Sequence, residues 1–241
     1  MLLGHKPCTD SKERNSHLSL NFRPITVTNT VYHAITKIVA NQTRPLFSEF
    51  ICPEQKGLLI GRSIDDVVIN ITDCYYESLQ GGKEAYILQT DLTKAYNYIN
   101  CEVLLQVLVW VGLPKEIVQF VGNILKDSEL KLFGRYTITS MCGVKQGCTL
   151  SPTIYLAVGD LLLDAVVKSE GVDVARGMVD DIGTLIPNFN CLTKLERIFS
   201  LYTKGIGGEI SYPKSGVLDP TDKSEQPLQG AWRESRKRKL L

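Results

Sequence analysis

An adjacent pair of acids, Asp180-Asp181, separates two strand-like apolar runs, residues 172–179 and 182–186. A two-residue connection between such runs is typical of a β-hairpin, so the spacing predicts both acids at the tip of one turn. A third acid, Asp91, directly follows another short apolar run that has the pattern of a buried strand. The chain must therefore fold with a hairpin and a separate strand that each present carboxylates at one end.

The rest of the sequence has the pattern of a globular protein that mixes helices and strands. Its 241 residues are 44% hydrophobic, which excludes disorder over most of the chain. Apolar periodicity and length predict helices over residues 31–46, 64–79, 103–111, 115–125, 151–167 and 192–202. A hairpin is predicted from residues 130–133 and 136–140, and edge strands from 209–212 and 216–218.

Cysteine usage, hydropathy and charge exclude several classes of protein. The seven cysteines are odd in number and never form a Cys-x-x-Cys pair, so they indicate neither a disulfide framework nor a zinc site. No apolar run is long enough for a membrane span, and the N-terminus does not resemble a signal peptide. These features predict an intracellular protein, nuclear or cytoplasmic, without a membrane partner. The net charge of +1 is uninformative, because phosphate binding depends on local clusters of Lys and Arg.

The three acids have the chemistry of a magnesium site. Mg²⁺ prefers oxygen ligands and keeps several waters, so two or three carboxylates completed by substrate phosphates are sufficient. Taken alone, an Asp-Asp pair is more often a solvated turn. The context favours function, since the Gly-flanked loop of residues 143–152 lies between the acids and runs into a predicted helix. Such a loop lets a base or a phosphate approach the backbone closely.

Six segments, taken in order, carry a resemblance to a known family. They are Asn-Phe-Arg-Pro-Ile-Thr at 21–26, Glu-Gln-Lys-Gly-Leu-Leu-Ile-Gly-Arg-Ser at 54–63, Asp-Leu-Thr-Lys-Ala-Tyr at 91–96, Gly-Val-Lys-Gln-Gly-Cys-Thr-Leu-Ser-Pro at 143–152, Met-Val-Asp-Asp at 178–181 and Tyr-Pro-Lys-Ser at 212–215. These segments resemble the successive reverse-transcriptase motifs of LINE-like, non-LTR retrotransposons. The 91–96 and 143–152 segments are the most specific of the six.

The resemblance implies the fold and its division. We expect an α+β protein with the fingers and palm of a right-hand polymerase, in which helices back an antiparallel palm sheet. The fingers would comprise residues 1–84 and 112–141, and the palm residues 85–111 and 142–218. Composition predicts a disordered basic tail over residues 219–241, where a thumb is expected in the family.

The resemblance also implies the cofactor and its ligands. Asp91 and Asp180 match the two metal-binding aspartates, and Asp181 matches a neighbouring acid that coordinates less directly. Two Mg²⁺ ions, or Mn²⁺ in their place, would serve the attacking and leaving oxygens of a nucleotidyl transfer. All three acids are thus candidate catalytic residues.

Four further residues match the family's nucleotide-binding positions. Tyr96 resembles the aromatic steric gate that excludes a ribose 2′-hydroxyl, and Gln146 resembles the glutamine that contacts the incoming nucleotide. Arg23 and Lys214 match basic residues near the triphosphate, and Lys214 is a candidate proton donor to pyrophosphate. The alternatives are a core tyrosine, a loop-capping glutamine, and a structural arginine or surface lysine.

The sequence departs from the family at three points. Asn97 stands where an aspartate usually follows the aromatic residue, and Met178-Val179 replace the usual aromatic residue and alanine. The segment from Pro152 to Asp180 is shorter than in most relatives. Neither substitution removes a matched metal ligand, whereas the shorter segment puts the position of Asp180 in question.

Several functions remain compatible with these motifs. The first hypothesis is an RNA-directed DNA polymerase that binds primer, dNTPs and an RNA or DNA template. The second is an inert, decayed remnant that only binds nucleic acid, and a primer-extension assay separates the two. An RNA-dependent RNA polymerase would not be expected to carry an aromatic gate at Tyr96, and a group II intron maturase would carry a further region. The sequence predicts no oligomeric state.

Overall fold

A computed structural model describes residues 2–6, 23–93, 95–126, 128–132, 136–140, 142–219 and 224–227. Within these ranges the helices are α1 (Thr30–Phe50), α2 (Ile64–Gln80), α3 (Cys101–Trp110), α4 (Lys115–Leu125), α5 (Ser151–Val167) and α6 (Leu192–Ile206). The strands are β1 (Leu2–Lys6), β2 (Arg23–Val27), β3 (Tyr86–Thr90), β4 (Leu92–Thr93), β5 (Ser128–Leu132), β6 (Tyr136–Ser140), β7 (Val174–Met178), β8 (Asp181–Ile186), β9 (Glu209–Ile210), β10 (Gly216–Asp219) and β11 (Ser224–Pro227).

A five-stranded antiparallel sheet in the order β11-β10-β3-β8-β7 forms the centre of the fold. Strands β3 and β8 each carry isoleucine and threonine, β-branched residues that suit a half-buried pleated surface. The register pairs Thr90 at the end of β3 with Ile182 in β8, and Met178 with Asp181 across the β7–β8 hairpin. The end of β3 therefore lies beside the hairpin turn, where the three acids were expected to meet.

Helix α5 lies in the middle of the main hydrophobic core. It is apolar on almost every side, as expected of a helix that is covered all round. Its fully buried residues include Leu156, Val158, Leu163 and Val166, and they join one cluster with residues of α1, α3, α4, α6 and the central sheet. A smaller cluster, Tyr75, Ala85 and Leu185, lies where α2 packs on the sheet. The helices thus back the sheet and leave its acid-bearing end accessible.

Local capping explains where several helices begin. Asn29 accepts a hydrogen bond from the Tyr32 N–H at the start of α1, and Asn100 does the same for the N–H groups of Glu102 and Val103 at the start of α3. Ser63 and Asp66 form a capping box at the start of α2. These capping side chains fix the residue at which each helix begins.

Two smaller sheets complete the described part of the fold. One has the order β2-β1-β5-β6, in which β1 pairs antiparallel with β2 and parallel with β5, and β5 and β6 form a hairpin. The other pairs β4 with β9. The second of these joins the residues that follow Asp91 to the segment before Tyr212.

The structure confirms the predicted α+β class and the six predicted helices, with α5 at its predicted bounds. The hairpin predicted within 130–140 is also confirmed. The division into fingers and palm stays a prediction. In α1, periodicity found the helix, yet Val31, Ile35 and Ile38 are exposed, whereas the opposite face, with Ala40 and Phe47, is buried.

Three local predictions are wrong. The two-residue turn of the β7–β8 hairpin is Val179-Asp180, since Met178 pairs with Asp181, so Asp181 is the first residue of β8. The predicted edge strand at 216–218 lies inside the sheet, because β10 pairs with both β3 and β11. The predicted disorder does not hold for Ser224–Pro227, which form β11, while the other residues of that tail lie outside the described ranges.

None of the helices within the described ranges combines the length and the hydropathy that a membrane crossing requires.

Candidate active site

The three predicted acids come together at one end of the central sheet, which we call the acid edge: Asp91, Asp180 and Asp181. Asp91 follows β3, Asp180 lies in the β7–β8 turn and Asp181 begins β8. The antiparallel pairing of Thr90 with Ile182 brings Asp91 next to Asp181. The Asp91 side chain is only 17% exposed. The shorter segment before Asp180 therefore does not separate the hairpin from Asp91.

Asp91 is held through its backbone by the segment that follows β9. Its N–H donates a hydrogen bond to Ser215 Oγ (3.0 Å), and its carbonyl accepts one from the Ser211 N–H (2.8 Å). Lys214, in the intervening short 3-10 helix, places Nζ 3.8 Å from Asp91 Oδ2 with its side chain 63% exposed. At 3.8 Å, and with the Lys214 side chain mostly exposed, this ion pair contributes little to stability. It therefore holds Lys214 only weakly.

The acid edge is electrostatically crowded. Partial burial, the charges of Asp180 and Asp91, and a hydrogen bond with Asp91 raise the pKa of Asp181 to about 6, and Lys214 only partly offsets them. A bound cation would remove this repulsion, which is how a set of carboxylates fits Mg²⁺. In the described part of the chain, no three or more His, Cys, Asp or Glu side chains form a group able to hold a metal ion, so the three acids do not make a metal site by themselves. A metal bound there would need further ligands from water or substrate phosphates.

The turn that carries Asp180 has a strained backbone. Val179 has a φ of 64°, in the left-handed region that β-branched residues avoid. Such a conformation costs on the order of 1–3 kcal/mol and persists only where the surroundings hold it. The surroundings here include Gln55, which is buried against the turn.

Two stacked tyrosines lie beside the acid edge. The rings of Tyr96 and Tyr155 have centroids 4.5 Å apart and planes inclined by 15°. Burial, followed by the charge of Asp180, raises the pKa of Tyr96 to about 12. Burial also raises the pKa of Tyr155, helped by Tyr202 and Asp180. Tyr96 is thus a neutral, half-buried ring within the electrostatic reach of Asp180.

The loop before α5 packs closely on the residues that follow Tyr96. Gly143 has a φ of 78°, and a Cβ there would lie 2.5 Å from the carbonyl oxygen of Asn97. Gly147 has a φ of 103°, and a Cβ there would lie 2.5 Å from the carbonyl oxygen of Thr26 in β2. Only glycine fits both the backbone angles and the space at these positions.

Gln146 lies in this loop, between Gly143 and Gly147. Its Nε2 donates a hydrogen bond to Asn97 Oδ1 (3.0 Å), and its carbonyl accepts one from the Thr26 N–H (2.8 Å). Asn97 is the position where the family usually has aspartate. The uncharged amide oxygen of Asn97 thus joins the 95–99 segment to the loop before α5.

The structure brings Asp91, Asp180, Asp181, Lys214 and Tyr96 into one region and links Gln146 to it through Asn97. For Arg23 only the backbone is described, as the first residue of β2. Its predicted contact with a triphosphate stays a prediction.

Three residues of this region were not singled out from the sequence. Ser215 binds the Asp91 N–H, Tyr155 stacks on Tyr96, and Gln55 contacts the Val179 turn. Ser215 and Gln55 lie within the 212–215 and 54–63 segments, so the motifs already contained a signal for them. Tyr155 looked like any other apolar position of a buried helix.

Comparison with known proteins identifies a family and several relatives. Residues 12–200 match the family described as reverse transcriptase (RNA-dependent DNA polymerase). The chain is 23% identical over 220 residues to the transposon TX1 uncharacterized 149 kDa protein of Xenopus laevis, covering 86% of this chain and 17% of that protein. It is 26% identical over 160 residues to a retrovirus-related Pol polyprotein from type-1 retrotransposable element R2 of Popillia japonica, covering 63% and 22%. The chain thus spans 17% to 22% of these relatives.

Solved structures share the fold at low sequence identity. Apo telomerase from Candida tropicalis, truncated from its C-terminal domain, is similar with a TM-score of 0.60 and 13% identity, over 86% of this chain and 52% of that one. Telomerase from the same organism in complex with a fragment of telomeric RNA gives a TM-score of 0.62 and 13% identity, over 85% and 40%. At this identity the likeness concerns the fold alone, and it confirms the α+β arrangement of an antiparallel sheet backed by helices.

Proposed function

Because this chain belongs to the reverse transcriptase (RNA-dependent DNA polymerase) family, we propose that it extends a primer with dNTPs on an RNA or DNA template. Its relatives are proteins of the transposable elements TX1 and R2, in agreement with the resemblance to LINE-like elements. The reaction would be a nucleotidyl transfer, in which the primer 3′-oxygen attacks the α-phosphate of a dNTP and pyrophosphate leaves.

The observation that carries the proposal is the meeting of Asp91, Asp180 and Asp181 at the acid edge. Burial, followed by the charges of Asp180 and Asp91, raises the pKa of Asp181 to about 6, and such a set of neighbouring carboxylates favours binding of divalent cations. When bound, two Mg²⁺ ions would stabilise the charge that develops on the attacking and leaving oxygens. The carboxylates supply the anionic edge that holds them.

Tyr96 supports a preference for deoxyribonucleotides. Its ring is stacked on the buried Tyr155, which limits the positions that Tyr96 can take. A nucleotide whose phosphates bind near Asp180 would place its sugar within reach of that ring. A 2′-hydroxyl would then collide with a side chain that cannot move away.

Gln146 and Lys214 have complementary roles in the proposal. Gln146 is held by Asn97 and Thr26 in a loop that packs closely on the protein, so it would support the base of the incoming nucleotide from a fixed position. Lys214 is mostly exposed and 3.8 Å from Asp91, so it would neutralise the triphosphate and donate a proton to pyrophosphate. Arg23 would add a bidentate contact to the same phosphates.

Primer extension tests the proposal. Purified protein is incubated with a labelled primer on an RNA template, dNTPs and Mg²⁺ or Mn²⁺, with EDTA as the metal-free arm. We expect extension by the wild type, none in EDTA and none by Asp91→Asn, whereas Glu77→Gln, an exposed acid on α2, should extend normally. Binding of primer–template without any incorporation would instead support the inert remnant.

A further inference from the structure

Gln55 is a fully buried polar residue beside the turn that carries Asp180. Its side chain is 0% exposed. Gln55 Oε1 accepts hydrogen bonds from the N–H groups of Val179 (2.9 Å) and Gly57 (3.0 Å). Its Nε2 donates to the carbonyl oxygen of Val179 (3.3 Å). One side-chain amide therefore binds both backbone polar groups of the residue that directly precedes Asp180.

The turn needs an external support of this kind. The β7–β8 ladder ends at the Met178–Asp181 pair, so Val179 and Asp180 lie beyond it. Val179 also adopts a φ of 64°, which a β-branched residue keeps only when its surroundings enforce it. A loss of the Gln55 contacts would let Val179 return to an ordinary conformation and turn the Asp180 backbone with it.

Gln55 is itself held in place by the backbone of its two neighbours and by an arginine side chain. The Gly177 N–H in β7 donates to the Glu54 carbonyl oxygen (3.0 Å), and the Lys56 N–H donates to the Gly177 carbonyl oxygen (2.7 Å). Arg62 Nη1 donates to the carbonyl oxygens of Cys52 and Gln55, both at 2.6 Å. Gly57 lies so close to the turn that a Cβ would be 2.6 Å from Val179 Cγ2. The support is therefore a rigid part of the fold.

We infer that Gln55 is a positioning residue for Asp180: it holds Val179 in the left-handed conformation and so fixes the direction of the Asp180 carboxylate. The inference rests on the proposed metal role of Asp180. Gln55 does not touch the reacting groups, and its effect passes through the Val179 backbone. A buried glutamine that merely filled space would leave the metal affinity of the acid edge unchanged.

Hydrogen exchange of the Val179 amide tests the hold on the turn without any metal. In ¹⁵N-valine-labelled wild type, this amide should exchange slowly although it lies in a turn, because it donates to a buried acceptor. In Gln55→Met, which keeps the size of the side chain but removes its polar atoms, exchange at Val179 should be about tenfold faster or more. Fast exchange in the wild type would overturn the inference, even if the variant failed to fold.

Mn²⁺ binding followed by electron paramagnetic resonance tests the consequence for the acid edge. We expect Gln55→Met to bind Mn²⁺ about 10- to 100-fold more weakly than the wild type, the range found when residues that orient metal ligands are changed. Ile186→Val is the matched control, since Ile186 is buried at the far end of β8 and its truncation weakens the fold without touching the turn. Its Mn²⁺ affinity should match the wild type.

The two measurements separate this inference from the proposed function. Unchanged Mn²⁺ affinity in Gln55→Met would overturn the positioning role. If the wild type bound no Mn²⁺, the proposed metal site would be wrong, and faster Val179 exchange in Gln55→Met would still support the hold on the turn. Asp180→Asn serves as the reference for a lost ligand.

Discussion

The acid edge and the loop floor, which we define as residues 95–99 together with 143–147, lie side by side but are stabilised in different ways. At the acid edge, burial and the neighbouring charges of Asp180 and Asp91 disfavour the ionised form of Asp181 and raise its pKa to about 6. At the loop floor, short backbone contacts and hydrogen bonds hold two chain segments together. Substitutions at the acid edge should therefore remove function and spare the fold, whereas backbone changes at the loop floor should damage the fold first.

The largest effect is expected for Asp180→Ala and Asp91→Ala in primer extension. Each removes a proposed metal ligand, and a bound metal supplies several kcal/mol of transition-state stabilisation, so the rate should fall about 1,000-fold or more. Urea unfolding without metal should show stability equal to or above that of the wild type, because a repelling charge is removed. Asp181→Ala should lose less activity, if that acid coordinates less directly.

Retained extension in Asp91→Ala or Asp180→Ala would rule out the two-metal assignment. A parallel loss of stability in either variant would break the comparison, since the acid edge would then support the fold.

The loop floor provides the opposite test. Gly147→Ala should lower the free energy of unfolding by about 3 kcal/mol, combining the cost of a positive φ with a Cβ placed 2.5 Å from the Thr26 carbonyl. Gly205→Ala is the control, because Gly205 lies in α6 with nothing within 4 Å of a new Cβ. The control should gain about 1 kcal/mol, as an alanine does in a helix. Similar losses in both variants would mean that the loop packs less closely than described.

The helices of this fold could be predicted from the sequence alone, but their neighbours could not. Periodicity predicted every described helix of eight residues or more, because a 3.6-residue repeat or a long apolar run depends on local sequence only. It could not predict that the helix found from Val31, Ile35 and Ile38 turns Ala40 and Phe47 into the core, since that depends on the neighbours. The position of β10 inside the sheet depends in the same way on a distant strand, β3.

For the site, the motifs located the acids but not what holds them. The turn was placed one residue late because a left-handed valine is an improbable turn residue, and its support comes from Gln55, 124 positions away in the sequence. Lys214 was predicted from the 212–215 segment, which also contains Ser215, yet the contacts of both residues with Asp91 span more than 120 residues. Contacts between residues so far apart in the sequence cannot be predicted without knowing the fold.

Tyr96→Ala tests a residue that belongs to the loop floor but lies close enough to the acid edge for the charge of Asp180 to affect its pKa. We expect the ratio of dNTP to NTP incorporation to fall about tenfold or more, since a methyl group leaves room for a 2′-hydroxyl. Extension with dNTPs should largely persist. Tyr96→Phe keeps the ring and should keep the discrimination, and Tyr76→Ala, an exposed tyrosine on α2, should behave as the wild type.

An unchanged ratio in Tyr96→Ala would make Tyr96 a core residue that packs on Tyr155. The stacked geometry would then serve the fold alone.

The smallest expected effect is a pH-dependent gain in stability for Asp181→Asn in EDTA. In the folded protein the pKa of Asp181 is raised from 3.8 to about 6, so the folded state binds this proton more tightly than the unfolded chain does. Wild-type stability should therefore fall as the pH rises from about 4 to about 6, and the full cost should remain above that range. Asparagine does not titrate, so the free energy of unfolding of Asp181→Asn should exceed that of the wild type by about 1 kcal/mol at pH 7.5, a value reduced by solvent screening.

At pH 4 the two proteins should unfold at nearly the same urea concentration, and Glu77→Gln should match the wild type at pH 7.5. A gain of equal size at both pH values would show that Asp181 affects packing rather than charge, and the acid edge would lose the repulsion that distinguishes it from the loop floor.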